Sequence, residues 1–114
     1  MNLIGINDLK KKIDQGGNFK LVNALEPEKF RAMRIPGSIN VFQKDDIQKQ
    51  LKPDDEIVVY CTDDTCNKSI TMYYILESLG YKNISRFPGG IRAWQEAGYA
   101  LEGESMKLFT RLRI

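Results

Sequence analysis

The chain has 114 residues, 42% hydrophobic and 28% charged, proportions that fit one water-soluble domain around a single core. Its net charge of +2 supplies no clustered basic face, which argues against a nucleic-acid partner, and no apolar run approaches the roughly 20 residues of a membrane-spanning helix. Histidine is absent, which excludes Cys-His and Ser-His pairs, an imidazole base and histidine metal ligands.

The opening Met1-Asn2-Leu3-Ile4-Gly5-Ile6 is too short, and too soon followed by Asn7 and Asp8, to be a secretory signal. A cytoplasmic location is therefore expected, with Cys61 and Cys66 as free thiols. Residues 7–15 read as a helix capped by Asn7, with Leu9 and Ile13 on one face and Gly16-Gly17 ending it. The run 19–25 is a strand candidate stopped by Pro27, and 28–33 makes one or two helical turns before the turn signal Ile35-Pro36-Gly37. A short strand over 38–42 and a helix over 45–51, with Ile47 and Leu51 at i, i+4, precede Pro53. The clearest strand is 56–61, Glu56-Ile57-Val58-Val59-Tyr60-Cys61, a run of the kind covered on both faces in a parallel sheet.

The strongest helix spans 67–79, with Met72, Ile75, Leu76 and Leu79 as its apolar stripe and Gly80 at its stop. Tyr73 and Tyr74 are adjacent on it, so only one can face inward. A strand over 83–87, the turn Pro88-Gly89-Gly90 and a helix over 91–97 carrying Trp94 complete the pattern. Trp94 is expected in the core or a pocket wall, Gly89-Gly90 at a close backbone approach, and Lys10-Lys11-Lys12 on a solvated helix face. Strands alternating with helices predict an α/β fold, with a parallel sheet of about four to five strands and helices on both faces. Residues 1–104 form one domain in this reading. Residues 105–114 form a C-terminal tail, open to reading as an added strand, a docking segment or a loose end.

Ligand sites in open α/β sheets form at the carboxyl edge of the strands. Cys61 ends the most buried strand there, just before a helix start, where free amides and the helix dipole favour a thiolate. Its pKa is expected to fall below that of a free cysteine, and the loop amides would suit an anionic persulfide. Two cysteines cannot complete a four-ligand zinc site, so no metal and no cofactor is implied.

Several segments together resemble the rhodanese-like family. They are Ile35-Pro36-Gly37-Ser38-Ile39-Asn40, Val58-Val59-Tyr60-Cys61, Leu79-Gly80-Tyr81-Lys82-Asn83-Ile84, and Gly89-Gly90-Ile91-Arg92-Ala93-Trp94 with Ala97-Gly98-Tyr99. They follow the family's order over residues 4–103, with an active loop of the form Y-C-x4-C-x2-S. The resemblance implies a sulfurtransferase or persulfide carrier in which Cys61 takes sulfane sulfur from a small donor or a protein persulfide. It then hands that sulfur to a thiol acceptor, which can itself be a protein. The anion cradle would be Thr62, Asp63, Asp64, Thr65, Asn67 and Lys68, with added positive charge from Lys68 and Arg34. Against the family pattern the loop is about two residues longer and carries two acids. Asn23 stands where an acid is usual, Leu25 where an arginine is usual, and Arg34 in place of a histidine.

Cys66 is a secondary thiol in this reading, either resolving a Cys61 persulfide or sulfenic acid or acting as the main nucleophile itself. The rivals to sulfur transfer are a thiol redox module using Cys61 and Cys66, and a non-catalytic interaction domain on the same fold. The family's fold also serves phosphatases with C-x5-R, but Asn67 and Met72 stand six residues after the two cysteines, so the phosphate clamp is missing.

Overall fold

The computed structural model describes residues 1–106; the rest of the tail expected over 105–114 lies outside the described residues. The elements in chain order are α1 (Ile6–Asp14), β1 (Lys20–Asn23), α2 (Pro27–Ala32), β2 (Ile39–Asn40), α3 (Lys44–Gln50), β3 (Ile57–Tyr60), α4 (Lys68–Ser78), β4 (Ile84–Arg86) and α5 (Gly90–Glu96). Each matches an element expected from the sequence, with ends displaced by one or two residues. The four strands make one parallel sheet in the order β2-β1-β3-β4.

Every residue of β3 is buried, because the strand is central and its side chains alternate between two apolar layers. Val59 and Ile57 join Val22, Ile84, Ile47, Met72, Tyr73 and Leu76 on the α3–α4 side. Val58 and Tyr60 join Leu21, Leu9, Ile91 and Trp94 on the α1–α5 side. Helices therefore cover both faces, as the α/β pattern predicted. Trp94 is buried and its indole N–H donates to the Ala100 carbonyl at 2.8 Å, so it belongs to the core.

Two local expectations are corrected. Gly5, not Asn7, stands at the N-cap of α1, with no side-chain cap. The buried stripe of α4 is Ser69, Met72, Tyr73 and Leu76; this i, i+3, i+4, i+7 set leaves Leu79 53% exposed. The expectation that only one of the adjacent tyrosines faces inward holds: Tyr73 faces in and Tyr74 faces out. The turn of one helical register follows from Ser69 and Tyr73 packing against the sheet, which the apolar count alone does not register.

Two features bind the sheet's surroundings. The Tyr60 hydroxyl accepts from Asn23 Nδ2 at 3.0 Å and the Ile35 amide at 3.1 Å, and donates to Ser38 Oγ at 2.9 Å. Asn23 Oδ1 in turn accepts from the Leu25 amide. This buried network ties β1, β3 and the turn after α2 together. At the sheet's other edge the backbone of Arg86 donates to the Asn2 carbonyl and accepts from the Ile4 amide, so the N-terminal segment lies along β4.

Candidate active site

The segment from Cys61 to Lys68 leaves β3 and enters α4 at the carboxyl edge of the sheet. Its first peptide groups are fixed from the side. The α5 amides of Ile91 and Arg92 donate to the carbonyls of Cys61 and Thr62 at 3.0 and 2.9 Å. In a trans peptide the N–H points opposite to the preceding C=O, so holding the Cys61 carbonyl against α5 turns the Thr62 amide the other way. That amide hydrogen-bonds Cys66, as does the amide of Lys68. Gly90 makes this approach possible: its φ is +61°, and a Cβ there would collide with the carbonyls of Cys61 and Thr62. The close approach expected at Gly89-Gly90 is thus present.

Cys61 is buried, 1% exposed. Its Sγ lies 3.2 Å from Ser69 Oγ and 3.5 Å from the Cys66 carbonyl. Burial pushes the Cys61 thiol above its ordinary range and the hydrogen bond to Cys66 adds to this, while the Ser69 hydroxyl and amide offset only part. The expected fall in the Cys61 pKa is therefore corrected. The sulfur sits one layer too deep, and the inward amides of Thr62 and Lys68 serve its neighbour.

Cys66 is half-buried and free. Burial raises its thiol too, but the Cys61 S–H, the Lys68 amide and the Thr62 amide together outweigh burial and hold Cys66 below the ordinary thiol range. Of the two thiols, the one held below the ordinary range and the more exposed is Cys66.

The remaining predicted residues divide between cradle and rim. Thr62 and Lys68 contribute backbone N–H groups. Asp63 accepts from the Thr65 hydroxyl at 2.6 Å and the Thr65 amide at 3.0 Å, and these two bonds, the hydroxyl first, hold its carboxyl below the usual range. Its charge acts against a Cys66 thiolate. Asp63 and Asp64 line an open cavity of about 560 Å³ with Pro88, Gly89, Arg92 and Glu96. Asn67 is the exposed N-cap residue of α4 and makes no side-chain cap.

Two expected cations are placed elsewhere. The Lys68 ammonium pairs with Glu26 and lies over the Phe42 ring, drawn off by the nearest carboxylate. Arg34 pairs with Glu102, donates to the Phe30 carbonyl and covers the Phe30 ring. Neither side chain contacts a cysteine sulfur, so their expected role as positive charge in the cradle is corrected.

Sequence reasoning passed over Arg86. It is 6% exposed and its Nε donates to Ser69 Oγ at 2.8 Å. The signal was present: a cation two residues after Ile84 in a strand shares that residue's inward face.

The rhodanese-like domain family model matches residues 6–97. A crystal structure of a protein from Bacillus halodurans superposes with a TM-score of 0.83 at 24% identity, over 91% of this chain and 78% of that one. A rhodanese-related protein from Thermoplasma volcanium is 27% identical, with a TM-score of 0.72 over 91% of this chain and all of its own, 100%. The polysulfide-sulfur transferase homodimer of Wolinella succinogenes shares the fold at 19% identity, with a TM-score of 0.71 over 92% of this chain and 80% of that one. No curated protein matches the chain. Family model, sheet order and neighbouring structures agree, and the chain belongs to the rhodanese-like domain family.

Proposed function

We propose that the domain is a sulfurtransferase or persulfide carrier whose receiving group is Cys66, with Cys61 as the inner thiol that donates a hydrogen bond to it. The observation that carries this reading is the half-buried position of Cys66 beside the fully buried Cys61, where the Cys61 thiol and the amides of Lys68 and Thr62 hold the Cys66 thiol below its ordinary range. They favour a thiolate, the form that attacks sulfane sulfur. The name of the Wolinella succinogenes neighbour, a polysulfide-sulfur transferase, supports sulfur chemistry on this fold.

In the first half-reaction the Cys66 thiolate attacks the sulfane sulfur of a small persulfide, polysulfide or protein persulfide. An S–S bond forms at Cys66 as the donor's S–S bond breaks, and the electron pair departs on the donor thiolate. In the second, an acceptor thiolate attacks the outer sulfur of the Cys66 persulfide and Cys66 leaves as a thiolate. There is no net oxidation, and one difficult transfer becomes two easier exchanges.

Incubation with polysulfide followed by intact mass measurement tests this. A gain of about 32 Da, one sulfur atom, is expected on the wild type and on Cys61→Ala but not on Cys66→Ser. Sulfur retained by Cys66→Ser and lost from Cys61→Ala would return the receiving role to Cys61.

The closeness of the two cysteines, with Cys61 Sγ 3.5 Å from the Cys66 carbonyl, also favours a second reading, a redox module that closes to a disulfide. Mild peroxide would then remove about two Da, reversibly with reductant, whereas no sulfur would be gained from polysulfide.

A further inference from the structure

Arg86 carries a guanidinium on β4, beneath the start of α4, and is 6% exposed. Among the described residues it has no carboxylate partner. Its Nε donates to Ser69 Oγ and its Nη2 is buried with no hydrogen-bond partner. Burying an unpaired cation is costly, a cost ordinarily offset by a counter-charge. Ser69 is itself 0% exposed, and its Oγ lies 3.2 Å from Cys61 Sγ. Arginine can only donate. Its bond therefore occupies a lone pair of Ser69 and leaves the hydroxyl hydrogen available to the sulfur.

We propose that Arg86 serves, through Ser69, as the buried counter-ion for negative charge on the Cys61 sulfur, making it a positioning residue of the sulfur site. A neutral Cys61 leaves the guanidinium uncompensated. A thiolate at Cys61 gives it an anion one hydroxyl away, with the Ser69 O–H as the bridging donor. The inference rests on the sulfur-transfer reading for its purpose, since it assigns the inner thiol a charged state that becomes accessible when Cys66 Sγ is bound in a persulfide and the charge has moved to the outer sulfur.

The groups around Cys61 are few. Cys66 approaches from the loop and opposes charge on Cys61, whereas Ser69 on α4 favours it. The loop acids Asp63 and Asp64 line the outer cavity. On α5 the Arg92 side chain pairs with Glu96, and Lys68 pairs with Glu26. Arg86 is the cation on β4, and it reaches Cys61 through Ser69.

The test is a titration of Cys61 by ultraviolet thiolate absorbance in the full chain carrying Cys66→Ser, which removes the competing thiol and needs no sulfur donor. In that background Arg86→Gln is expected to lower the thiolate fraction roughly tenfold at a fixed pH below the midpoint. Arg86→Lys, which keeps the charge, restores most of it. The urea midpoint of Arg86→Gln should hold or rise, because an uncompensated buried cation has been removed; a purely structural arginine would lower it and leave the titration unmoved. An unchanged Cys61 titration in Arg86→Gln overturns the proposal. Should that variant not fold, Ser69→Ala in the same background decides: a fall in thiolate fraction sustains the relay, and an unchanged titration overturns it. Failure of polysulfide loading on the wild type, by contrast, counts against sulfur transfer and leaves the titration result standing.

Discussion

Cys61 acts on Cys66 as a hydrogen-bond donor, and alanine in its place removes that donor. The sign follows directly. A bond that stabilises the thiolate lowers the pKa, so losing it moves the pH profile of Cys66 alkylation toward higher pH. In the wild type, alkylation by iodoacetamide should reach half its limiting rate below the pH at which a free thiol does, and Cys61→Ala should erase much of that advantage. Tyr60 is the structural counterpart. Burial pushes its phenol upward, so it stays neutral and keeps its proton for Ser38. Tyr60→Phe leaves Asn23 Nδ2 and the Ile35 amide without their acceptor, and is expected to cost about 2 kcal/mol in urea unfolding.

Among the elements, α5 governs the loop although it carries no thiol. Its first amides hold the carbonyls of Cys61 and Thr62, and Gly90 is the residue that allows it so close. Gly90→Ala should therefore slow Cys66 alkylation at neutral pH about tenfold by turning the Thr62 amide away. Cys66→Ser, which removes the sulfur and keeps the backbone, should leave the urea midpoint near that of the wild type. The sequence announced the elements well. The run Ile57-Val58-Val59-Tyr60 admits little other than a central strand, and Gly89-Gly90 marked the approach of α5. It did not announce which thiol would have its pKa lowered. That depends on the depth of Cys61 and on the direction of two amides, which arise from α5 docking across about 30 residues of intervening chain. Arg86 was obscured for a related reason: its significance lies in the absence of a carboxylate nearby, a property of the assembled layers. The Lys68 side chain, read as part of the cradle, is claimed by Glu26 from before α2, a pairing that local sequence does not encode.

On the scale of the whole molecule the charge is nearly balanced, yet the cavity beside the loop is lined by Asp63, Asp64 and Glu96 against the single cation Arg92. A field of that sign opposes a dianion such as thiosulfate. Asp64→Asn is expected to lower the KM for thiosulfate about threefold at low salt, with the gap closing as added salt screens the exposed carboxylate. An equal KM for the two proteins at low ionic strength would remove the rim from any account of donor choice.

The strip of chain along β4 has a consequence of its own. Both backbone groups of Arg86 are occupied by Asn2 and Ile4, so the strand that carries the guanidinium is clamped from outside as well as from β3. Proteolytic clipping after Ile4 would unfasten that clamp in one cut, baring a sheet margin open to adhesion with another chain. The same cut would slacken the floor beneath Ser69. The segment from Asn2 to Ile4 thus acts as a latch for Cys61, far along the chain from it.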